Sequence, residues 1–164
     1  MFCPSTDNNE NEAAMKNTSR EYERFYTRFD RYDKEIDGIY HNYCVRHGIT
    51  DVALWIYYAL YTFEGEVTQA DICDCWFLPR QSINTSLKAL EKAGEIVLVP
   101  MENNRKSKCV RFTESGAKKA DGIMKPLFAA EDEMLSTFTE EELQTLLDLQ
   151  ERRCAALRKL TENL

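Results

Sequence analysis

Residues 78–94, LPRQSINTSLKALEKAG, carry the clearest structural signal in this chain of 164 residues. Pro79 lies near the start of the stretch and Gly94 at its end, as at the two ends of a helix. The apolar residues Ile83, Leu87 and Leu90 recur at helical spacing. The opposite face begins with amides and hydroxyls instead of the Glu–Lys pairs typical of a solvated helix. The pattern predicts a helix that buries one face and uses the other for recognition.

A second short helix is predicted immediately before this one, within TQADICDCWFL, residues 68–78. Thr68 and Asp71 have the spacing of a capping box, with Asp in place of Glu. Pro79 suits the first turn of the helix that follows, because that position needs no N–H. The residues of the first helix that are predicted to face inward are Ile72, Cys73 and Trp76. Two short helices joined by a tight turn are typical of a helix-turn-helix, whose second helix enters the DNA major groove.

The exposed face of the second helix has side chains suited to base recognition. Amides can bind an adenine edge through two hydrogen bonds, Thr can contact a thymine methyl group, and Lys can reach guanine or phosphate. The residues predicted to lie in the major groove are Gln81, Asn84, Thr85 and Lys88, with Arg80 on phosphate. A solvated helix face remains the alternative explanation for this stretch alone.

Two short apolar segments follow the helix-turn-helix. EIVLVP (95–100) and KCVRFT (108–113) read as strands, and the polar segment MENNRKS between them reads as a turn. Such a β-hairpin after a helix-turn-helix forms a wing. We expect Arg105 and Lys106 at its tip to enter the minor groove, where the potential is negative, and Lys108 to contact phosphate.

The distribution of charge favours this interpretation although the total opposes it. The chain has a formal net charge of −7, which is unfavourable for binding a polyanion. Residues 79–119, however, contain nine Lys or Arg and four Glu, a net charge of +5, and the rest of the chain carries −12. The local charge of a docking face matters more than the sum.

The segment from Val67 to Ala120 resembles the winged-helix core of the MarR (multiple antibiotic resistance regulator) family. RQSINTSLKALEKAG is similar to the recognition helix, and FTESG to the Leu-Thr-x-x-Gly that ends the wing. The resemblance extends from about Arg20 to Leu160 and implies a homodimeric transcriptional regulator that binds a pseudo-palindromic operator. Members are often released from DNA by a small aromatic ligand or by cysteine oxidation. The family's wing has an Asp before its Arg, whereas this chain has Asn104.

The remaining segments predict a mainly α-helical chain with a small β-hairpin wing. We expect a disordered leader at 1–18, a winged helix-turn-helix at 49–113, and helical dimerisation regions at 19–48 and 114–164. Apolar stripes at helical spacing in both flanking regions favour packing against a second subunit. Pro126 should kink or break the helix from Glu114 to Thr137, and Thr139 should cap the last helix. Four residues near the junction of the first two helices could line an aromatic ligand pocket or be ordinary packing residues: Tyr40, Tyr43, His47 and Trp55.

Several classes of protein are disfavoured. The N-terminus lacks the features of a signal peptide, and the run from Val52 to Phe63 is shorter than the ~20 residues of a membrane span. Six cysteines without a secretion signal suggest a reduced, cytoplasmic protein. We expect no cofactor, no metal and no catalytic site, since no corresponding motif is present. We interpret the protein as a DNA-binding regulator that acts as a repressor. Two alternatives remain: a winged-helix module that binds only protein, and a thiol-based redox sensor.

Overall fold

The computed structural model describes residues 7–101 and 108–162, with side chains described from Tyr22 onward. The fold is mainly helical with a small antiparallel sheet, as predicted. The elements in chain order are α1 (Asp7–His47), α2 (Asp51–Thr62), β1 (Val67–Thr68), α3 (Gln69–Trp76), α4 (Arg80–Lys92), β2 (Ile96–Pro100), β3 (Lys108–Phe112), α5 (Glu114–Leu135) and α6 (Glu140–Thr161). The chain forms two compact units, residues 1–55 and 56–164.

Helix α1 is longer than the sequence pattern predicts. The disordered leader predicted at 1–18 is wrong for its second part, because the helix already begins at Asp7. No Gly or Pro occurs between Asp7 and Gly38, and Ala13, Ala14 and neighbouring Glu, Met and Lys residues favour helix without an apolar stripe. Gly48, with φ of +66°, ends α1 as predicted.

The first unit buries few of its described side chains. Cys44, Ala53 and Leu54 are buried where α1 turns into α2. Thr50 caps α2, since its hydroxyl oxygen accepts a hydrogen bond of 3.2 Å from the backbone N–H of Ala53. From Tyr22 to Ile39, by contrast, the large apolar side chains of α1 are all more than half exposed.

The second unit contains a three-stranded antiparallel sheet in the order β1-β3-β2. The two strands of the wing are as predicted, with Ile96 opposite Phe112 and Pro100 opposite Lys108. Strand β1 was not predicted, because two residues are too few for a periodic pattern; EGEV reads as a turn in the sequence. Its Val67 lies opposite Val110, on the edge of β3 that is not paired with β2.

The core of the second unit lies between the sheet and the helices that pack against it. The apolar residues of α2 continue into this core, as expected for a helix whose sequence is apolar nearly all round. The buried apolar side chains are Ile56, Tyr57, Ala59, Val67, Ile72, Cys73, Ile83, Leu87, Leu90, Ile96, Cys109, Val110, Ala120, Ile123, Met124 and Leu127.

The end of α5 and the whole described part of α6 leave their large apolar side chains unburied. Helix α5 passes through Pro126 without a break, and α6 begins with the predicted capping box of Thr139 and Glu142. None of the residues described in α6 is buried, although its predicted stripe includes Leu146, Leu157 and Leu160. Within the described ranges, no helix has both the length and the apolar character that crossing a membrane requires.

Candidate nucleic-acid interface

Helices α3 and α4 form the predicted helix-turn-helix. The Thr68 side chain accepts from the N–H of Asp71, whose carboxylate accepts from the N–H of Thr68 in return, so the capping box is confirmed. The turn contains Phe77 in the left-handed conformation, with φ of 50°. Pro79 precedes the first helical residue as the N-cap instead of lying in the first turn, a one-residue correction. Its ring still suits this place, because Pro restricts the backbone without needing a donor.

Burial of one stripe fixes which face α4 exposes. Ile83 is fully buried, and Leu87 and Leu90 are nearly so. Residues on the other side of a helix of 3.6 residues per turn must then face solvent. The side chains that the sequence assigned to DNA are all exposed in this helix: Arg80, Gln81, Asn84, Thr85 and Lys88.

One residue that positions α4 was missed in the sequence. The Gln69 side-chain N–H, in the first turn of α3, donates a hydrogen bond of 3.3 Å to the backbone carbonyl of Arg80. This bond joins the first turns of the two helices, where a recognition helix contacts bases. No periodic pattern marks Gln69, and only its position beside the capping box could have indicated it.

The exposed face of α4 is uncharged at its N-terminal end apart from Arg80. The Thr85 hydroxyl donates to the carbonyl of Gln81 at 2.9 Å, so its proton is used within the helix. The Thr85 methyl group therefore remains for apolar contact. The amides of Gln81 and Asn84 are exposed beside it, and these supply both donors and acceptors.

The basic residues around α4 differ in whether their charge is already paired with a carboxylate of the protein. Arg111 forms an ion pair of 2.8 Å with Glu66, and Lys119 one of 2.5 Å with Glu95. These two cations are thus already neutralised within the protein. In the described ranges, Arg80 and Lys88 take part in no ion pair, so their charge is available to a polyanion.

The base of the wing presents one of the basic residues that the sequence assigns to DNA. Lys108 is exposed at the start of β3, opposite Pro100, where the wing tip begins. Arg105 and Lys106, which the sequence assigns to the minor groove, lie outside the described residues. Their placement at the tip stays a prediction.

The motif FTESG joins the wing to α5 through a close backbone contact. Thr113 caps α5 by accepting from the N–H of Gly116 at 2.9 Å. The Thr113 hydroxyl donates to the carbonyl of Gly94 at 2.6 Å, and its N–H to that of Glu95 at 3.0 Å. A Cβ atom on Gly116 would lie 1.7 Å from the Glu95 oxygen, so only glycine fits here. The end of α4, the wing and α5 are therefore held as one piece.

Three tyrosines of α2 donate hydrogen bonds to carboxylates in the same unit. Tyr57 donates to Glu95, Tyr61 to Asp121 and Tyr58 to Glu131, the last at 3.0 Å. Burial, reinforced by these carboxylates, raises the pKa of Tyr57 well above its usual value and that of Tyr58 and Tyr61 to about 12. The hydroxyls hence stay protonated and act as donors at neutral pH.

The residues assigned to a ligand pocket form two aromatic pairs in the first unit. The rings of Tyr40 and Trp55 are 5.3 Å apart, and those of Tyr43 and His47 are 4.3 Å apart, measured between centroids. The Arg46 guanidinium lies 5.8 Å from the centre of the Tyr43 ring. His47 is exposed and the other three are half-buried. Their role in binding a ligand stays a prediction.

Comparison with known proteins identifies the winged helix. Residues 47–107 match the model of the MarR family. Over these residues the chain is similar to the MarR family. The matched range contains α3, α4 and β2, and thus the whole of the helix that carries the exposed face described above. Comparison of the sequence with curated proteins gives no match.

Solved structures of MarR-type regulators have the same fold. A MarR family regulator from Neisseria meningitidis, NMB1585, is 22% identical, with 84% of this chain and 96% of that chain covered and a TM-score of 0.70. The transcription regulator MarR from Oenococcus oeni is 16% identical, with coverage of 77% and 96% and a TM-score of 0.66. CouR from Rhodococcus jostii, bound to p-coumaroyl-CoA, is 17% identical, with coverage of 74% and 85% and a TM-score of 0.63. The chain therefore has the fold of a MarR family transcription regulator.

Proposed function

We propose that the protein is a sequence-specific, homodimeric DNA-binding regulator that represses transcription from a pseudo-palindromic operator. The observation that carries this proposal is the exposed face of α4, which presents uncharged amides and a hydroxyl between Arg80 and Lys88, two cations that form no ion pair among the described residues. A face that served only solubility would favour alternating charges. Amides instead distinguish base edges, since their donors and acceptors match only some of them.

Each residue of the face has a distinct task in the proposed complex. Gln81 and Asn84 read base edges in the major groove, and the Thr85 methyl group contacts a thymine methyl group. Lys88 reaches guanine or phosphate. Arg80 and Lys108 bind phosphate on either side and fix the register of the helix on the duplex.

The wing supplies the second part of the proposed contact. Arg105 enters the minor groove, and Lys106 shares this task because Asn104 provides no carboxylate to hold Arg105 in one position. Arg105→Ala should weaken binding to many sequences and reduce the salt slope by roughly one per subunit. Asn84→Ala should leave that slope nearly unchanged, since it removes no charge.

The apolar surface that each unit leaves exposed supports the proposed dimer. The aromatic stripe of α1 remains exposed, with Tyr22 70% and Ile39 61% accessible. On α6 and the end of α5, Leu147, Leu160 and Phe138 are exposed as well. Contiguous apolar surface of this kind marks an interaction site in a soluble protein. A second copy of the chain would cover it and present two α4 helices to the two halves of a palindrome.

An aromatic effector is the proposed signal for release. The pairs Tyr40–Trp55 and Tyr43–His47 offer ring faces, and Arg46 beside Tyr43 offers a cation for an acidic ligand. The similar structure CouR binds p-coumaroyl-CoA, whose acyl group is aromatic. If the proposal holds, aromatic carboxylates at millimolar concentration should raise the melting temperature and lower operator affinity.

Oxidation is the less favoured signal. Burial raises the pKa of the Cys44 thiol to about 11 and also raises that of Cys73, so both are poor thiolates at neutral pH. We therefore expect micromolar peroxide to leave DNA binding intact. A large loss of binding that a thiol reductant reverses would favour the redox sensor instead.

Selection of bound duplexes from a random DNA pool tests the proposed function. The full chain should enrich an inverted repeat whose half-sites lie about one helical turn apart. Binding to a generic duplex should also weaken steeply with salt. Failure to enrich any sequence, together with no salt-sensitive binding, would favour the winged-helix module that binds only protein.

A further inference from the structure

Helix α5 lacks one backbone hydrogen bond at Pro126, in its second half. Pro126 lies inside the helix and has no N–H to donate to the carbonyl of residue 122. That residue is Gly122, and a Cβ added to it would meet nothing within 4 Å. The helix thus lacks a hydrogen bond where its backbone is also least restricted. The direction of α5 beyond Pro126 is therefore more sensitive to contacts from outside the helix than that of an uninterrupted helix.

One side chain provides such contacts from α2. The Tyr58 hydroxyl donates to a Glu131 carboxylate oxygen at 3.0 Å, and its ring meets that of Phe128 edge-on with 5.0 Å between centroids. Both partners lie beyond Pro126. The same ring also meets Trp76, the last residue of α3, at 5.2 Å. Tyr58 therefore contacts the helix-turn-helix and the distal half of α5 at once.

A second tyrosine makes a comparable bond to the part of α5 that precedes Pro126. Tyr61 donates to Asp121, which also accepts from Lys125 at 2.6 Å. This bond restrains the N-terminal part of α5, which the close contact at Gly116 already holds against the end of α4 and the wing. The Tyr61 ring also meets Phe128, with 5.9 Å between centroids, so the two tyrosines differ in their hydroxyl bonds: that of Tyr61 lies before Pro126 and that of Tyr58 beyond it.

We propose that Tyr58 is a positioning residue that sets the angle between the helix-turn-helix and α5 beyond Pro126, and thereby the half-site spacing that the dimer accepts. The proposal rests on the proposed function, because spacing has meaning only for a dimer on DNA. In such a dimer the distal part of α5 leads to the exposed apolar surface around Phe138, whereas Trp76 lies in the helix-turn-helix that binds DNA. Releasing the Tyr58–Glu131 bond lets one move relative to the other.

DNA selection with matched variants tests the effect on spacing. Tyr58→Phe removes only the hydroxyl and should enrich operators with half-sites one base pair closer and one farther apart as well as the native spacing. Tyr61→Phe loses a bond of the same kind before Pro126 and should keep the native spacing. Glu131→Gln retains a carbonyl acceptor and should also keep it. A single spacing for Tyr58→Phe, or equal relaxation in Tyr61→Phe, would overturn the proposal.

Amide hydrogen exchange tests the hinge without DNA. Tyr58→Phe should reduce protection of residues 127–135 about fivefold, the effect of one ordinary hydrogen bond, while residues 114–121 keep theirs. Tyr61→Phe should not affect residues 127–135. If wild type selects no operator but this exchange pattern appears, the proposed function fails and the hinge stands. Unchanged protection beyond Pro126 in Tyr58→Phe would overturn the hinge itself, whatever the outcome on DNA.

Discussion

Substitution of Gly116 by alanine should severely destabilise the second unit. A Cβ at this position would lie 1.7 Å from the Glu95 carbonyl oxygen and 2.5 Å from its carbon. Because non-bonded carbon and oxygen atoms do not approach within about 3 Å, α5 must move away from Glu95 by more than 1 Å. The obstacle is backbone on both sides, so no side chain can rotate to relieve it.

The magnitude follows from what the displacement breaks. The main hydrogen bonds that span the joint are Thr113 N–H to Glu95 O at 3.0 Å, Thr113 Oγ1 to Gly94 O at 2.6 Å, and Ser115 Oγ to Gly94 O at 3.2 Å. Their loss costs about 3 kcal/mol, overpacking adds about 1–3 kcal/mol, and the better helix propensity of Ala returns about 1 kcal/mol. The expected net loss is about 3–5 kcal/mol.

Urea denaturation monitored by circular dichroism measures this loss directly. Gly122→Ala is the matched control, because it lies in the same helix and its Cβ would meet nothing within 4 Å. That variant should be as stable as wild type or up to about 1 kcal/mol more stable. A Gly116→Ala protein as stable as Gly122→Ala would refute the close approach of α5 to Glu95.

Three further predictions concern strain, acid stability and assembly. Phe77→Gly should raise the free energy of unfolding by about 0.5–1 kcal/mol, because Phe77 occupies the left-handed region at φ of 50°, whereas Phe77→Ala should bring no such gain in the same urea titration. Hydrogen bonds from Lys125 and Tyr61 lower the pKa of Asp121, so its contribution to stability is present above its unfolded pKa near 4 and is lost as pH falls through the lower folded value. Asp121→Asn should therefore make the melting temperature depend less on pH in this acid range. An unchanged dependence would contradict the assignment. Sedimentation at micromolar concentration should give about twice the chain mass of 19.1 kDa, and Phe29→Asp on the exposed stripe of α1 should shift the protein toward monomer; a monomeric wild type would exclude the proposed assembly.

The winged helix-turn-helix was predictable because its signals are local. The stripe of Ile83, Leu87 and Leu90 determines which face of α4 is buried, and the capping box of Thr68 and Asp71 determines where α3 begins. Both depend on spacing within a few residues. The assignment of exposed residues to the face of α4 needed nothing more than the helical period.

Other features could not be predicted because they depend on contacts distant in sequence. Strand β1 exists through its pairing with β3, and Val67 is 43 residues from its partner Val110. The bond between Tyr58 and Glu131 spans 73 residues, and no local pattern relates the two. The early start of α1 was missed for a different reason. Residues 7–18 have helix-forming composition but no apolar stripe, and the prediction relied on stripes.

Selection from a random DNA pool with wild type and with Asn84→Ala tests most directly whether the exposed face of α4 reads bases. Wild type should enrich an inverted repeat, and Asn84→Ala should bind that operator about 1–3 kcal/mol more weakly. The variant's own selected motif should lose preference at one base pair in each half-site, with the salt slope nearly unchanged. Enrichment of the same motif with undiminished preference at every position would contradict base recognition by this face.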